Sequence, residues 1–277
     1  MPISLPQLRY APLILIGVLI FAFPGPADAQ TRKKKARSQS VAHLNAIDPP
    51  CRKRLSLCPD GGCSKRDDHD PNLNQAKNIF AMPPGTPEDV ELKWFKGLAD
   101  PQNFQEKGPR DELQAIGEGR YVRTTGHLLI IRKEPGGESC NCGLHGERDT
   151  DNHLVLITDE TLAANLFHGT ATKAELKAML AAREPESVTV EFTPRWRKHG
   201  HPKFLAGNIQ PLINRTVQGA LLVRITGLTM FDSEHFLNNH LVRHNNWEIH
   251  PVLKFEYCPT TKTCTPTGST NWVDLDK

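Results

Sequence analysis

From Gly119 onward apolar and polar residues alternate in five runs, each with the length and composition of a β-strand. Arg120 to Arg132, RYVRTTGHLLIIR, is the first and carries Gly126 in its middle. His153 to Thr158 follows, and then Ser187 to Thr193, SVTVEFT, which alternates strictly. Ala220 to Phe231 is rich in β-branched residues and is interrupted only by Arg224 and Gly227. The last run sets Trp247, Ile249, Val252, Leu253, Phe255 and Tyr257 against Glu248, His250, Lys254 and Glu256. Pro251 breaks its alternation, which predicts a bulge or an edge position. VRTTGHLLI at Val122 echoes VRITGLTMF at Val223, and each places a glycine where a strand bends sharply.

Helical spacing appears in four other places. Asp70-Pro71 is a cap and first-turn proline ahead of Leu73 to Met82, and Thr86-Pro87-Glu88-Asp89 does the same ahead of Val90, Trp94, Phe95 and Leu98. Ala171 to Arg183 puts Leu176, Met179 and Leu180 on one face, and Phe204 to Ile213 reads as a short helix or irregular turn. PRWRKHGHP reads as a basic loop, and Asp100 to Gly117 as a polar connector and domain boundary. Strand, strand, strand, helix, strand, strand is the order of a five-stranded OB-like Greek-key barrel, whose first strand pairs with both the second and the fourth. The fold expected is mainly β: this barrel over residues 118–258, preceded by a helical, cysteine-containing extension over 49–117 and followed by a tail over 259–277.

The N-terminus changes the picture of where the protein resides. Met1 to Ala29 has one basic residue, an apolar core from Ala11 to Phe23, a Pro-Gly break and Ala27-Asp28-Ala29 as a cleavage site. These are the parts of a secretory signal peptide, and the apolar run is shorter than the roughly 20 residues of a membrane span. A periplasmic or secreted protein starting at Gln30 is expected, with no transmembrane segment after cleavage. Residues 30–48 begin with QTRKKKARSQS and form a basic linker. Seven cysteines in an exported chain favour disulfides, with one left over. Cys51, Cys58 and Cys63 staple a turn-rich loop, Cys140 and Cys142 reach distant partners, and Cys258 and Cys264 flank PTTKT as a local pair. A formal charge of +3, from 34 basic and 31 acidic residues, is too small to argue for nucleic acid by itself.

The segments GESCNCG, DTDNHLVLITD, VTVEFTPRWR, VRITGLTMFDSEH and NNWEIHPVLKFEY, with the earlier DPNLNQAKN, resemble the signature segments of a family of uncharacterised exported bacterial proteins with an OB-like barrel. The resemblance covers about Cys58 to Tyr257. It implies fold and export but no activity, so chemistry has to come from the residues.

Three constellations compete for that chemistry, the third being Cys140-Asn141-Cys142 as a redox pair or metal clip. The basic and aromatic one comprises Arg195, Trp196, Arg197, Lys198, His199 and His201 with Arg120, Arg123, Arg132, Arg224, Arg243 and Trp247. OB barrels track anionic polymers with cations and stack on aromatics. The leading expectation is therefore a binding module, without cofactor, in which Arg123, Arg195, Arg224, Arg243 and Trp247 receive an oligonucleotide or acidic glycan. The plainer alternative makes Trp196 and Trp247 core plugs and pairs the arginines with Glu191, Glu248 and Asp232. The acid and imidazole constellation comprises Asp149, Asp151, His153, Glu191, Asp232, Glu234, His235, Glu248 and His250. Oxygen and imidazole ligands suit zinc or a similar divalent ion. The alternative function is accordingly a metal-dependent hydrolase or phosphodiesterase with Asp232, His235, Glu248 and His250 as ligands. Here too a plainer alternative stands, of turn caps and solvated exterior. Cys140-Asn141-Cys142 lacks a thioredoxin context, and no Gly-rich phosphate loop or nucleophile elbow occurs.

Overall fold

The computed structural model describes residues 51, 54–64, 69–158, 178, 182, 186–216, 219–235 and 245–277. Asn45–Lys277 make up one compact unit. The signal peptide, the basic linker, the helical face at Leu176, Met179 and Leu180, and Arg243 lie outside the described residues.

Seven strands occur among the described residues: β1 (Glu88–Asp89), β2 (Tyr121–Lys133), β3 (Asn152–Ile157), β4 (Val188–Phe192), β5 (Leu221–Phe231), β6 (Trp247–Tyr257) and β7 (Val273–Asp274). The order β2-β3-β4-β6-β5 closes on itself because β2 pairs with both β3 and β5. This is the expected five-stranded barrel, with β4 and β6 parallel and every other barrel pair antiparallel. Alternation fixes which residues point inward. Val122, Leu128 and Ile131 of β2 meet Leu154 and Leu156 of β3, Val190 and Phe192 of β4, Val223 and Ile225 of β5, and Ile249, Val252 and Phe255 of β6 in one core cluster.

Strict alternation over so many residues would twist some of these side chains out of the core, and register shifts correct it. β2 shifts between Leu128 and Ile130, and β6 shifts twice against β5 around Gly227. The expected bulge near Pro251 is there, in a strand paired on both sides. Gly227 has a specific reason to be glycine: a Cβ there would lie 2.4 Å from Ile249 Cγ2 and 2.5 Å from the Pro251 carbonyl oxygen.

Four short helices are described: α1 (Pro71–Lys77), α2 (Asp111–Ile116), α3 (Pro194–Lys198) and α4 (Ala206–Asn214). Asp70 caps α1 by accepting from the amides of Asn72 and Leu73. Three expectations fail for tertiary reasons. The helix anticipated over Val90 to Leu98 is a 3₁₀ turn, Leu92–Gly97, because its supposed cap, Glu88-Asp89, pairs with Val122-Arg123 as a strand. The supposed boundary at Asp100 to Gly117 contains α2 and contributes Leu113 and Phe104 to the barrel core, so it is part of the same body. PRWRK is a helix rather than a basic loop, capped by Thr193 and burying Arg195, Trp196 and Arg197.

Three disulfides join Cys51–Cys63, Cys58–Cys142 and Cys258–Cys264, and Cys140 is the free, buried thiol. The first closes a loop within the extension, the second ties that loop to the turn between β2 and β3, and together they enclose a small cluster with Leu55. We call this stapled layer the cap. Gly62 lets it close: its φ of +68° and a would-be Cβ 2.3 Å from the Ser139 carbonyl oxygen exclude a side chain. The Cys63 amide donates to that same carbonyl at 2.8 Å.

Candidate metal centre

The outward faces of β3, β4 and β6 carry a row of charged side chains that register alone brings together. His153 is directly opposite Glu191 in the β3–β4 ladder. Val190 is level with Ile249 in the β4–β6 ladder, so their outward neighbours Glu191 and His250 lie side by side. His153 Nε2 is 2.9 Å from Glu191 Oε1, and His250 Nδ1 is 3.0 Å from Glu191 Oε2 and 3.4 Å from Glu248 Oε1. Asp151 precedes His153 by two residues and so shares its face. Ligand atoms of Asp151, Glu191 and His250 all come within 4.8 Å of one another. These three residues are 1%, 3% and 1% exposed.

This outer face is buried because the cap lies over it. Asn74, Lys77 and Asn78 share one side of α1 by their spacing. Asn74 donates to the Gly61 carbonyl and to Ser139 Oγ, and Asn78 to the carbonyls of Asp60 and Cys140. Lys77 Nζ is 3.3 Å from Glu234 Oε2. The turn Ser139–Asn141 brings Cys140 Sγ to 3.7 Å from Asp151 Oδ2 and 3.9 Å from Glu138 Oε2. Glu134, just past β2, closes the outer end at 3.1 Å from His153 Nδ1.

Acid narrowly exceeds base at this place: Glu134, Glu138, Asp151, Glu191, Glu234 and Glu248 face Lys77, His153 and His250, and the buried Arg195 and Arg197 also act on Asp151. The consequences for protonation follow from burial and neighbours. Burial alone would lower the histidines, but Glu191 with Glu134 raises His153 to about 9, and Glu191 with Glu248 raises His250 to about 10. Burial pushes the Glu191 carboxyl up, and the two imidazoles outweigh it and hold it well below its ordinary value. Burial and Asp151 push Glu138 up to about 8, and burial with Glu138 raises the Cys140 thiol. Lys77 is raised because Glu234 and Glu138 outweigh its burial.

The close approaches are not directed as hydrogen bonds. Asp151 Oδ1, Glu191 Oε2, His153 Nε2 and both ring nitrogens of His250 are buried and lack a hydrogen-bond partner. Such atoms are costly to bury unless something takes their lone pairs. The separations of about 3 Å reflect attraction between protonated imidazoles and the Glu191 carboxylate, and only when the imidazoles give up their protons do their nitrogens offer lone pairs to the space they share with Asp151 and Glu191. Oxygen and imidazole atoms so arranged fit a divalent ion of the zinc class.

The residues anticipated from sequence separate into two groups. Glu248 and His250 belong to the centre. Asp232 and His235 do not: they pair with each other at 2.6 Å, and Asp232 also accepts from the Glu234 amide as a turn cap. Asp151, Glu191 and His153 take their places, Glu138 and Lys77 join from the cap, and so does Cys140, which was expected to bond a distant cysteine and is instead a free thiol. Of the anticipated anion-binding residues, the four described ones, Arg123, Arg195, Arg224 and Trp247, are each engaged with a different partner. Arg123 is forked onto Asp89 at 2.6 and 2.7 Å, and Arg224 onto Glu256 at 2.9 Å twice. Arg195 holds Asp60 at 2.6 Å and the carbonyls of Cys58 and Pro59. Trp247 is fully buried, donates to the Ala99 carbonyl and packs edge-on to Phe231, as the core-plug alternative held. The arginines' partners are Asp89, Asp60 and Glu256, not Glu191, Glu248 or Asp232.

A cleft of about 640 Å³ adjoins the centre, with His250 in its wall beside α1, α2 and Leu228 to Met230. Its guanidinium, Arg110, is already bound to Glu118, Ser233 Oγ and the Phe231 carbonyl. No helix among the described residues is long and apolar enough to cross a membrane. No family model, curated protein or solved structure matches the chain.

Proposed function

We propose that this protein is an exported metal-binding OB-like barrel, which holds a zinc-class divalent ion between the outer face of its sheet and a disulfide-stapled cap. The observation that carries this reading is the convergence of ligand atoms of Asp151, Glu191 and His250 within 4.8 Å of one another, all buried and without a well-directed hydrogen bond at Asp151 Oδ1, Glu191 Oε2 and the His250 ring. The excess of carboxylate over base around them favours a cation in the same place. Binding the ion requires neutral imidazole, so His250 would release its proton on loading. Each of the three ligands is at most 3% exposed, which favours binding, while a site of three protein ligands beside the cleft that His250 lines keeps a hydrolase as the second reading. Three disulfides, together with the N-terminal pattern, support an oxidising compartment.

The anionic-polymer reading is less favoured because, of its cations, Arg123, Arg195 and Arg224 are paired with Asp89, Asp60 and Glu256, while Arg243 lies outside the described residues. Elemental analysis tests the metal reading: protein purified without chelator is expected to carry zinc or a similar ion at about one equivalent or more. Asp151→Asn/His250→Gln protein should carry none. Wild-type protein that neither arrives with metal nor binds zinc after dialysis would overturn it.

A further inference from the structure

Cys140 is anomalous on every count. It is the one free cysteine among seven, it is buried, and it lies in the cap opposite the proposed centre, while all the others are bonded. Its sulfur faces two carboxylates, Glu138 Oε2 at 3.9 Å and Asp151 Oδ2 at 3.7 Å. One ligand atom each from Glu138, Cys140 and Asp151 lie within 4.8 Å of one another, a second convergence like that of Asp151, Glu191 and His250. Asp151 belongs to both. One of its oxygens, Oδ2, faces the thiol, and the other, Oδ1, is buried without a hydrogen-bond partner.

Resting on the metal-binding reading above, we infer that the centre holds two ions, with Asp151 bridging an oxygen and imidazole position formed with Glu191 and His250 to a thiolate position formed by Cys140 and Glu138. A carboxylate can serve two cations because each oxygen carries its own lone pairs. The thiolate selects the metal: sulfur favours zinc, cadmium or cobalt(II) over magnesium or calcium, which keep to oxygen ligands. On loading, the Cys140 S–H bond breaks, its proton leaves to solvent and the sulfur electron pair enters the bond to the metal. No redox change is involved. The stapled cap has a role here as well. The Cys58–Cys142 bond fixes Cys142 two residues from Cys140 and so fixes the turn that aims the thiol at Asp151.

The test uses cobalt(II), whose bonds to thiolate absorb in the near ultraviolet. Protein is stripped with chelator in denaturant, disulfides intact, and refolded with cobalt(II). Wild-type protein should then hold two equivalents and show the sulfur-to-cobalt band. Cys140→Ser should lose the band and one equivalent, keeping the other. Glu138→Gln, which preserves the thiol and the side-chain size, should lose the same equivalent, so the result does not depend on how well Cys140→Ser folds. One equivalent without the band, unchanged in Cys140→Ser, would overturn the thiolate position and leave the metal-binding reading standing. One equivalent whose band vanishes in Cys140→Ser would mean a single ion with mixed ligands and would overturn the two-ion arrangement. No cobalt in any variant would remove both readings.

Discussion

Glu191→Gln removes the charge on which the row His153, Glu191, His250 is built while keeping the side chain's size. The wild-type carboxylate has an imidazole within 2.9 to 3.0 Å of each oxygen, and the side chain is only 4% exposed. Removing one partner of a buried pair costs about 3 to 5 kcal/mol. The low end applies, because an imidazole left without its carboxylate can shed its proton, as a guanidinium cannot. For a body of this size, about 3 kcal/mol lowers Tm by roughly 6 to 12 °C. Zinc adds a second, separable readout. At about 100 times its dissociation constant, zinc should stabilise the wild type by roughly 2.7 kcal/mol, worth about 5 to 11 °C. Glu191→Gln should show little of that increment, since a carboxamide is a poor zinc ligand. Thermal melts of both proteins, in chelator and in zinc, give all four values. A variant that melts like wild type in chelator would refute the buried-pair reasoning. A variant with a full zinc increment would show that Glu191 is not a ligand.

Glu256→Gln tests whether Arg224 is a structural rather than a ligand-binding cation. Burial raises the Glu256 carboxyl, and its hydrogen bonds from Arg224 and Lys254 outweigh that and hold it below its ordinary value. Its contribution is therefore present above the unfolded value and lost as pH falls through the lower folded one. Wild-type protein should exceed the variant in urea stability by about 3 kcal/mol at neutral pH, with the gap narrowing progressively as pH falls below the ordinary glutamate value of about 4.3. A gap independent of pH would contradict this. Export predicts that the mature chain begins at Gln30, and intact mass showing Met1 retained on exported protein would refute it.

The barrel was legible because alternation is a local property. Each β-strand segment was placed to within about a residue or two from its own apolar residues, and the order of segments sufficed for the topology. The partners of the arginines were not legible, because they come from elsewhere in the chain. Asp60 reaches Arg195 from 135 residues away, and Asp89 meets Arg123 only because Glu88-Asp89 pairs as a strand rather than capping a helix. Nothing in the local pattern around either arginine distinguishes a bound guanidinium from a free one.

The centre is an intermediate case, and its ligands follow once topology and alternation are used together. In this barrel order the second, third and fifth strands are neighbours in that sequence, whereas the fourth lies one strand further from the second and third. Outward residues of NHLVLI, VTVEF and WEIHP must then line up, which puts His153, Glu191 and His250 in one row. The fourth strand's Asp232 and His235 lie beyond the strand's end and fall outside it. Polarity at outward positions ordinarily means contact with water, so this row reads as solvated exterior until something is known to cover it. The covering is written in the cap: DPNLNQAKN sets Asn74, Lys77 and Asn78 on one helix face, and the odd cysteine of GESCNCG stays unpaired beside Glu138. Polar residues repeated at helical spacing, an unpaired thiol in a disulfide-forming chain and a polar outward row on three adjacent strands are each unremarkable alone. They require one another, because a charged sheet face can be buried only under a layer that brings its own charges and ligands to it.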